Sequence, residues 1–364
     1  MSDKPSSLSP DETRELCAKP LAGGRLSREE GELLLRAGDI HELGRAAHAL
    51  RLEAAEPAAV TYVVDRNINY TNICVCRCRF CAFSRGISDE DAYINEYELV
   101  IKAKIAEAAE LGATQILMQG GHHPSLPFEW YLELLRSIKR DFPKATLHSF
   151  SPPEVVHFSK LFGIPVREVL MSLSDAGLDS LPGGGAEILS DRVRNEVSPR
   201  KCTADEWIGV MREAHALGML TTATMMFGHV ETYSERIEHL ERIRAQQDET
   251  GGFTAFICWT YQPENTPLGG TAVGGLEYLR TLAVARLYLS NFANLQASWV
   301  TMGPKVGQLA LMFGANDMGG TMLEENVVAA AGTSYSMSEK ELRRLISAAG
   351  FTPKRRTTQY ELLE

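Results

Sequence analysis

Apolar residues near the amino terminus of the chain recur at helical spacing. Between Ser27 and Leu52 they fall three or four positions apart, which is the pattern expected of the buried face of a helix. A break at Gly38-Asp39 divides the pattern, so the sequence predicts two short helices there. We expect them to belong to a helical cap over residues 13–58, preceded by a flexible tail of polar residues at 1–12.

After residue 58 the pattern changes to short apolar runs that alternate with longer helical stretches. The predicted strands are 61–64, 68–72, 115–118, 146–150, 168–173, 221–227, 254–259 and 296–300. The predicted helices are 96–111, 128–142, 204–217, 232–247 and 276–292. Parallel strands need a crossover, which a helix supplies. The alternation predicts an α/β fold, a TIM-like (β/α) barrel, whole or partial, over residues 59–300. Residues 301–364 would complete or cover it.

Composition and charge narrow the class of protein. The chain has 364 residues, of which 44% are hydrophobic and 23% charged, as in a globular protein with a sizeable core. Its net charge of -10 argues against nonspecific binding to nucleic acid or to an anionic membrane. No apolar run approaches the ~20 residues of a membrane span, and the polar amino terminus lacks a signal-peptide core. We expect a reducing, cytoplasmic location.

The cysteines carry the strongest chemical signal in the sequence. Four of the seven lie in Cys74-Val-Cys76-Arg-Cys78-Arg-Phe80-Cys81, whereas a disulfide framework would be dispersed and even in number. Cys74, Cys78 and Cys81 have the spacing C-x3-C-x2-C. Three thiolates on one loop can hold three irons of a 4Fe-4S cubane and leave the fourth iron open, whereas electron-transfer clusters use four cysteines.

Cys76 lies inside the same loop, and we interpret it as a free or buried thiol. The alternative to a cluster is a zinc site, which usually takes four ligands in two separated pairs. A second CxxC pair is absent from the sequence, so zinc would need the three cysteines together with a distant histidine.

The cysteine spacing, with Phe80 before the last cysteine, resembles the radical S-adenosylmethionine (SAM) superfamily. There SAM chelates the open iron and is cleaved by one electron to a 5'-deoxyadenosyl radical. The resemblance implies SAM contacts at a Gly-Gly turn after a strand, where this chain has Gly-Gly-His instead of Gly-Gly-Glu. The cofactor-binding residues predicted on this basis are Phe80, Gln119, Gly120, Gly121, Ser172, Glu187, Arg192 and Gln262.

Longer stretches sharpen the resemblance between about Thr61 and Gly350. NINYTNICVCRCRFCAFSRG, ILMQGGHHPSLPFEWY and HSFSPPEVVHF are similar to the cyclic dehypoxanthine futalosine synthase family of menaquinone biosynthesis. The resemblance implies hydrogen abstraction from the ribose of dehypoxanthine futalosine, addition of the ribosyl radical to the benzoate ring, and loss of an electron and a proton. It also implies reduced flavodoxin or ferredoxin as the electron donor.

Polar side chains follow several predicted strands, where the active site of such a barrel lies. The predicted catalytic residues are His123, Glu154, Thr224 and His229. Restoring the aromatic ring needs a base, which we expect to be Glu154 or a histidine. Structural roles are the alternatives: a turn for His123 and for His229, and a helix amino terminus for Glu154 after two prolines. Further polar residues near the predicted mouth are Asn316, Asp317, Glu324 and Glu325.

Three other functions remain open from the sequence. The first is a different radical SAM reaction, such as aminofutalosine formation or a deazaflavin-type coupling, which product analysis separates. The second is a non-catalytic iron-sulfur protein, which would hold a cluster without cleaving SAM. The third is a zinc-stabilised hydrolytic barrel, which would be colourless.

Overall fold

A computed structural model describes residues 7–54, 56–333 and 335–363. Three helices open it, α1 (Pro10–Leu21), α2 (Arg28–Ala37) and α3 (Ile40–Ala54). The predicted division into two helices near Gly38 is confirmed by α2 and α3. The tail predicted over residues 1–12 is wrong at its end, because Ser9 and Glu12 form a capping box that starts α1. Residues 1–6 of that prediction lie outside the described residues.

Parallel strands and helices alternate through the rest of the described chain. The strands are β1 (Ala59–Val63), β2 (Asp65–Ile68), β3 (Gln115–Met118), β4 (Thr146–Ser149), β5 (Thr221–Phe227), β6 (Phe253–Thr260), β7 (Asn294–Gln296), β8 (Asp317–Gly320) and β9 (Thr352–Arg355). The helices are α4 (Lys102–Glu110, after a π-helical turn at Tyr97–Ile101), α5 (Phe128–Asp141), α6 (Pro152–Phe162), α7 (Val166–Asp175), α8 (Asp191–Val197), α9 (Ala204–Ala216), α10 (Tyr233–Thr250), α11 (Gly275–Tyr288), α12 (Trp299–Ala310), α13 (Val327–Ala330) and α14 (Glu339–Ala348).

The strands close into a barrel. One sheet has the order β5-β6-β7-β8-β1-β9 and the other β2-β3-β4, and β1 and β2 are separated only by Val64. The gap between β4 and β5 is bridged by two extended residues, since Ser180 pairs with His148 and Leu181 with Thr221. We count β1 and β2 together as the first position and Ser180-Leu181 as the fourth, with β3 to β8 in the others. The ring therefore has eight positions, which confirms the predicted TIM-like barrel.

The predicted strand at 168–173 is wrong, because these residues belong to α7. Val169, Leu170 and Leu173 are buried at helical spacing, and a short apolar run does not by itself distinguish a strand from a buried helix. The fourth barrel position is taken instead by Ser180 and Leu181. The runs at 68–72 and 296–300 are only partly strands, since β2 ends at Ile68 and α12 begins at Trp299.

Segments at both ends of the chain either pack against the barrel or complete it. Helices α2 and α3 pack against α10 and α11 of the outer layer, so the expected cap lies on the barrel wall. Strand β8, the eighth barrel position, falls within residues 301–364. Strand β9 pairs in parallel with β1, and the chain after β9 enters the lower end of the barrel. None of the described helices has the length and apolar character needed to cross a membrane.

Candidate active site

A cavity of about 270 Å³ runs through the inside of the barrel. Alternate residues of each strand line it, such as Gln115 and Leu117 on β3. The residues between them face outward, where Ile116 and Met118 join the core beneath the helices. We call the carboxyl ends of the strands the mouth and the amino ends the floor.

The floor is closed by a buried ion pair. Arg356 donates to both oxygens of Asp317, at 2.5 and 3.0 Å, and Thr61 donates to the same carboxylate at 2.5 Å. The guanidinium also lies 3.9 Å from the centre of the Tyr360 ring. Thr358 donates to Gln115 at 2.8 Å, so the carboxyl-terminal segment seals the barrel at this end.

The three spaced cysteines lie on a loop at the mouth. Cys78 is buried, Cys74 and Cys81 are partly exposed, and all three are free thiols. The turn at Gly121 packs directly against this loop, because a Cβ on Gly121 would come within 2.2 Å of the Ile73 carbonyl oxygen. Only glycine allows this approach, so the Gly-Gly pair positions the loop through its backbone.

The preceding glycine joins the loop to a buried carboxylate. A Cβ on Gly120 would lie 2.4 Å from the Tyr70 ring, and its N–H donates to Glu154 at 3.2 Å. Glu154 also accepts from the Tyr70 hydroxyl at 2.6 Å and from Ser151 at 2.5 Å. Burial raises the pKa of Glu154 to about 7. Glu154 therefore supports the turn from behind and does not line the cavity, contrary to its predicted contact with substrate.

Glu187 and Lys201 form an ion pair beside the cysteine loop. Their charged atoms are 2.9 Å apart, and the Lys201 ammonium lies 5.2 Å from the centre of the Phe80 ring. Burial opposes the charge on Lys201, but Glu187 and the thiols of Cys78 and Cys76 raise its pKa well above the ordinary value. Lys201 thus places a positive charge next to the cysteines, and sequence reasoning missed it.

Glu187 has two unusual features. Its backbone φ of 41° lies in the left-handed region, which costs free energy for any residue other than glycine. Its side chain is only 3% exposed, yet its Oε2 atom lacks a hydrogen-bond partner within the described parts of the chain. The nearest cation to that oxygen, Arg194, is 3.5 Å away. An unsatisfied carboxylate oxygen held in a strained conformation indicates a site for a ligand donor.

Cys76 is buried, as the sequence predicts, and has its own partners. Its Sγ lies 3.1 Å from His122 Nδ1 and 3.6 Å from the Arg200 carbonyl oxygen. The Cys76 thiol is also hydrogen-bonded to Cys74, so the fourth thiol of the loop contacts one of the three spaced ones.

Two predicted catalytic histidines form turns. His123 Nδ1 accepts from the N–H groups of Ser125 and Leu126, at 3.1 and 3.0 Å. His229 is fully buried, with Nε2 donating to Met226 and Nδ1 accepting from Val230. Both structural alternatives thus describe the observed positions, and neither histidine lines the cavity.

Thr224 and Gln119, in contrast, do line the cavity. Thr224 donates to the Gly183 carbonyl at 2.6 Å, and Gln119 Nε2 donates to the Phe150 carbonyl at 3.1 Å. Each side chain is therefore fixed in place at the cavity wall.

Of the other predicted SAM contacts, Arg192 and Gln262 are bonded to other residues, and Ser172 lies on an outer helix. Ser172 lies on α7, which packs among outer helices. Arg192 is exposed and is bound by Glu235 at 2.6 Å. Gln262 bonds to its neighbour Thr260 and accepts from Thr333, which ties two loops together. The contact of these three residues with SAM stays a prediction.

Four further polar residues of the cavity wall were missed or left without a role. These are Asp65, Asn67, His148 and Glu325. Burial raises the pKa of Asp65 to about 6. The sequence held a signal for the first two, because Asp65 and Asn67 occupy alternate positions of β2. That alternation places both on the inner face of the barrel.

Comparisons with known proteins agree with this arrangement. Residues 68–243 match the radical SAM superfamily model, and residues 250–364 match the CofH/MqnC C-terminal region. Cyclic dehypoxanthine futalosine synthase from Halalkalibacterium halodurans is 46% identical over 94% of this chain and 92% of its own. The 5-amino-6-(D-ribitylamino)uracil–L-tyrosine 4-hydroxyphenyl transferase from Methanopyrus kandleri is 44% identical over 99% of both chains.

A solved structure supports the fold. The FeFe-hydrogenase maturase HydG from Carboxydothermus hydrogenoformans has a TM-score of 0.75 over 96% of this chain and 81% of its own, at 15% identity. Sequence identity to full-length relatives, the barrel and the cysteine loop lead to one assignment. The chain is a radical SAM enzyme and belongs, within that superfamily, to the CofH/MqnC group.

Proposed function

We propose that the protein is a radical SAM cyclase that converts dehypoxanthine futalosine to its cyclic form. The observation that carries the proposal is the loop with Cys74, Cys78 and Cys81, packed on a Gly-Gly turn at the mouth of a barrel whose floor is sealed. A radical needs a site that excludes water and stray hydrogen donors, and a barrel closed at one end supplies it. The 46% identity to a cyclase of this name supports the choice of reaction.

The residues at the mouth fit a 4Fe-4S cluster. Three free thiols on one loop match the three-cysteine ligand set, with one iron left open. Lys201 adds a buried positive charge next to them, which stabilises an anionic cluster. Cys74, Cys78 and Cys81 would hold the cluster.

The same region fits SAM. Glu187 offers a buried oxygen that has no hydrogen-bond partner among the described residues, with Arg194 3.5 Å away, and this oxygen suits the ammonium or a ribose hydroxyl of SAM. Gln119 and the backbone of Gly120 and Gly121 form the adjoining wall. When bound, the cluster and SAM supply a 5'-deoxyadenosyl radical at this end of the cavity.

The protein's own residues must then remove a proton from the ring. Asp65 meets the requirement better than Glu154, because it lines the cavity and has a pKa of about 6. A carboxylate with that pKa is ionised at neutral pH and still basic enough to accept a proton. His148 is the second acceptor. Ser180 donates its hydroxyl to Leu220 and so accepts from His148 Nδ1 at 2.9 Å, which leaves Nε2 unprotonated.

Exposed arginines near the cysteine loop favour an acidic electron donor, and we propose reduced flavodoxin or ferredoxin. Arg77, Arg79 and Arg200 lie on and beside the cysteine loop and are exposed. Arg79 and Arg200 donate to the backbone carbonyls of Glu196 and Val75, which leaves their charge available to a partner. Complementary charge speeds encounter between proteins.

A hydroxyphenyl transferase is the second candidate, because one with that activity is nearly as similar to this chain. The cyclase is placed first because the identity to it is slightly higher, 46% against 44%.

Product analysis tests the proposal. Iron-reconstituted protein is incubated anaerobically with dithionite, SAM and dehypoxanthine futalosine, and in parallel with tyrosine and 5-amino-6-(D-ribitylamino)uracil. We expect 5'-deoxyadenosine together with a product that has two hydrogens fewer than dehypoxanthine futalosine. Coupling only in the parallel reaction would replace the cyclase by the transferase. A loaded cluster that yields no deoxyadenosine would refute both.

A further inference from the structure

A carboxylate and an amide face the cavity between the first and eighth barrel positions. Asn67 lies on β2 and Glu325 follows β8, and both line the cavity. Asn67 Nδ2 donates to Glu325 Oε2 at 2.8 Å. Glu325 Oε1 accepts from the N–H groups of Val327 and Val328, at 2.7 and 2.8 Å. The carboxylate is thereby fixed at the start of α13.

The pair leaves two acceptor atoms, Glu325 Oε2 and Asn67 Oδ1, for a ligand. Because Glu325 accepts, the NH₂ group of Asn67 must face it, which leaves Asn67 Oδ1 pointing elsewhere. That atom is buried and has no hydrogen-bond partner within the described residues, and Asn67 is 4% exposed. A buried acceptor without a partner costs free energy that a ligand donor would recover.

The local charges point to neutral donors. Two cations near this wall, Arg66 and Lys104, are bound by the neighbouring Glu324 at its outer side. Glu325 is left facing the cavity, where burial raises its pKa. Two adjacent acceptors suit two adjacent hydroxyl groups, because each hydroxyl donates one hydrogen bond.

We propose that Asn67 and Glu325 bind the vicinal hydroxyls of a ribose. The inference deepens the proposed function and rests on it, since that reaction brings two riboses into the cavity, one from SAM and one from dehypoxanthine futalosine. Glu325 accepts from one hydroxyl and Asn67 Oδ1 from its neighbour.

Binding measurements with deoxy analogues test the site. Anaerobic titration calorimetry on reconstituted enzyme compares SAM with its 2'-deoxyribose form, and dehypoxanthine futalosine with its 2-deoxy form. Wild-type protein should bind each hydroxylated ligand more tightly, by roughly tenfold to a hundredfold for the ligand whose ribose meets a charged acceptor. In Glu325→Gln that preference should vanish for one ligand and persist for the other. The ligand that loses its preference identifies the ribose at the site.

Glu324→Gln is the matched control, since it changes the same group one residue away on the outer side. It should keep both preferences. Asn67→Ser provides a second variant, and iron content and thermal unfolding report whether each variant is folded and loaded. Preferences that persist for both ligands in the Glu325 and Asn67 variants would overturn the site. Wild-type protein that fails to bind dehypoxanthine futalosine would instead refute the proposed function, while the SAM comparison would still decide the site.

Discussion

Two buried ion pairs of the barrel are built differently. At the floor, Arg356 donates hydrogen bonds to both oxygens of Asp317, and Thr61 donates a third. At the mouth, Lys201 contacts one oxygen of Glu187, the other oxygen has no hydrogen-bond partner in the described chain, and the Glu187 backbone is left-handed. Burial and charge are similar in the two pairs, but only the floor pair is complete.

The difference separates a structural role from a functional one. Removing one partner of a fully bonded buried ion pair is strongly destabilising, because the other charge is left buried without compensation. A pair that keeps an unsatisfied oxygen and a strained backbone is destabilising until a ligand supplies the missing donor. The incompletely bonded pair at the mouth therefore marks a ligand site, and the completely bonded pair at the floor does not.

The largest expected effect comes from removing the chemistry at the mouth. Cys74→Ala should abolish both iron incorporation and deoxyadenosine formation, because the cluster loses one of three ligands. Cys76→Ala is the matched control and should retain both, since Cys76 lies outside the C-x3-C-x2-C spacing. Iron analysis and chromatography of deoxyadenosine measure the outcome. Loss of iron in the control alone would exchange the two assignments.

Breaking the floor pair should damage stability. Arg356→Met leaves the fully buried Asp317 without its cation, which should lower the free energy of unfolding by about 3–5 kcal/mol. Arg242→Met breaks an exposed ion pair with Asp205 and should cost less than about 1 kcal/mol. Urea unfolding measures both. Equal losses would mean that the floor pair adds nothing beyond a surface contact.

Glu154 makes the mouth sensitive to pH. Its pKa of about 7 exceeds the ordinary value of 4.5 because it is buried, so the folded protein keeps a proton that the unfolded chain releases. The stability this provides is full below about pH 4.5 and is lost as pH rises through 7, by about 3 kcal/mol. Glu154→Gln cannot ionise and should lose less stability over this range. Unfolding at pH 5 and pH 8 tests this, and parallel losses would exclude Glu154 as the cause.

Glu187→Gln tests the ion pair at the mouth, as Arg356→Met tests the one at the floor. The amide keeps an oxygen for Lys201 but loses the anionic acceptor. Affinity for SAM should therefore fall by roughly tenfold to a hundredfold, while the free energy of unfolding should fall by less than in Arg356→Met, because the amide oxygen keeps the hydrogen bond from Lys201. Calorimetric titration of SAM and urea unfolding give the two numbers. A large loss of stability with unchanged SAM affinity would make this pair structural, like the one at the floor.

The smallest effect concerns the outer surface of the mouth. Arg79→Glu should slow turnover driven by reduced flavodoxin by several-fold, because it reverses a charge beside the cysteine loop. Turnover driven by dithionite should not change. Added salt should narrow the difference, since screening weakens exposed charges. Equal slowing with both reductants would place the effect in catalysis rather than docking.

Much of the fold and the cluster chemistry followed from the sequence alone. The ligand spacing lies within eight positions of one loop, so its chemistry does not depend on how distant segments meet. The alternation of apolar runs and helical patterns likewise requires parallel strands with crossovers. Both signals are local. The predicted strands that became β3, β4, β5 and β6 are confirmed, the one at 168–173 is not, and the cluster ligands stay a prediction.

Only the tertiary structure decided which polar groups face the cavity. Glu154 and His229 follow strands and Thr224 lies within β5, but only Thr224 lines the cavity, because local hydrogen bonds hold the other two elsewhere. Asn67 and Glu325 meet although 258 positions separate them, and Lys201 reaches Glu187 through a loop. Such contacts depend on strand register and loop path, which the free energy of the whole packed barrel determines. The spacing of residues along the chain therefore does not predict these contacts.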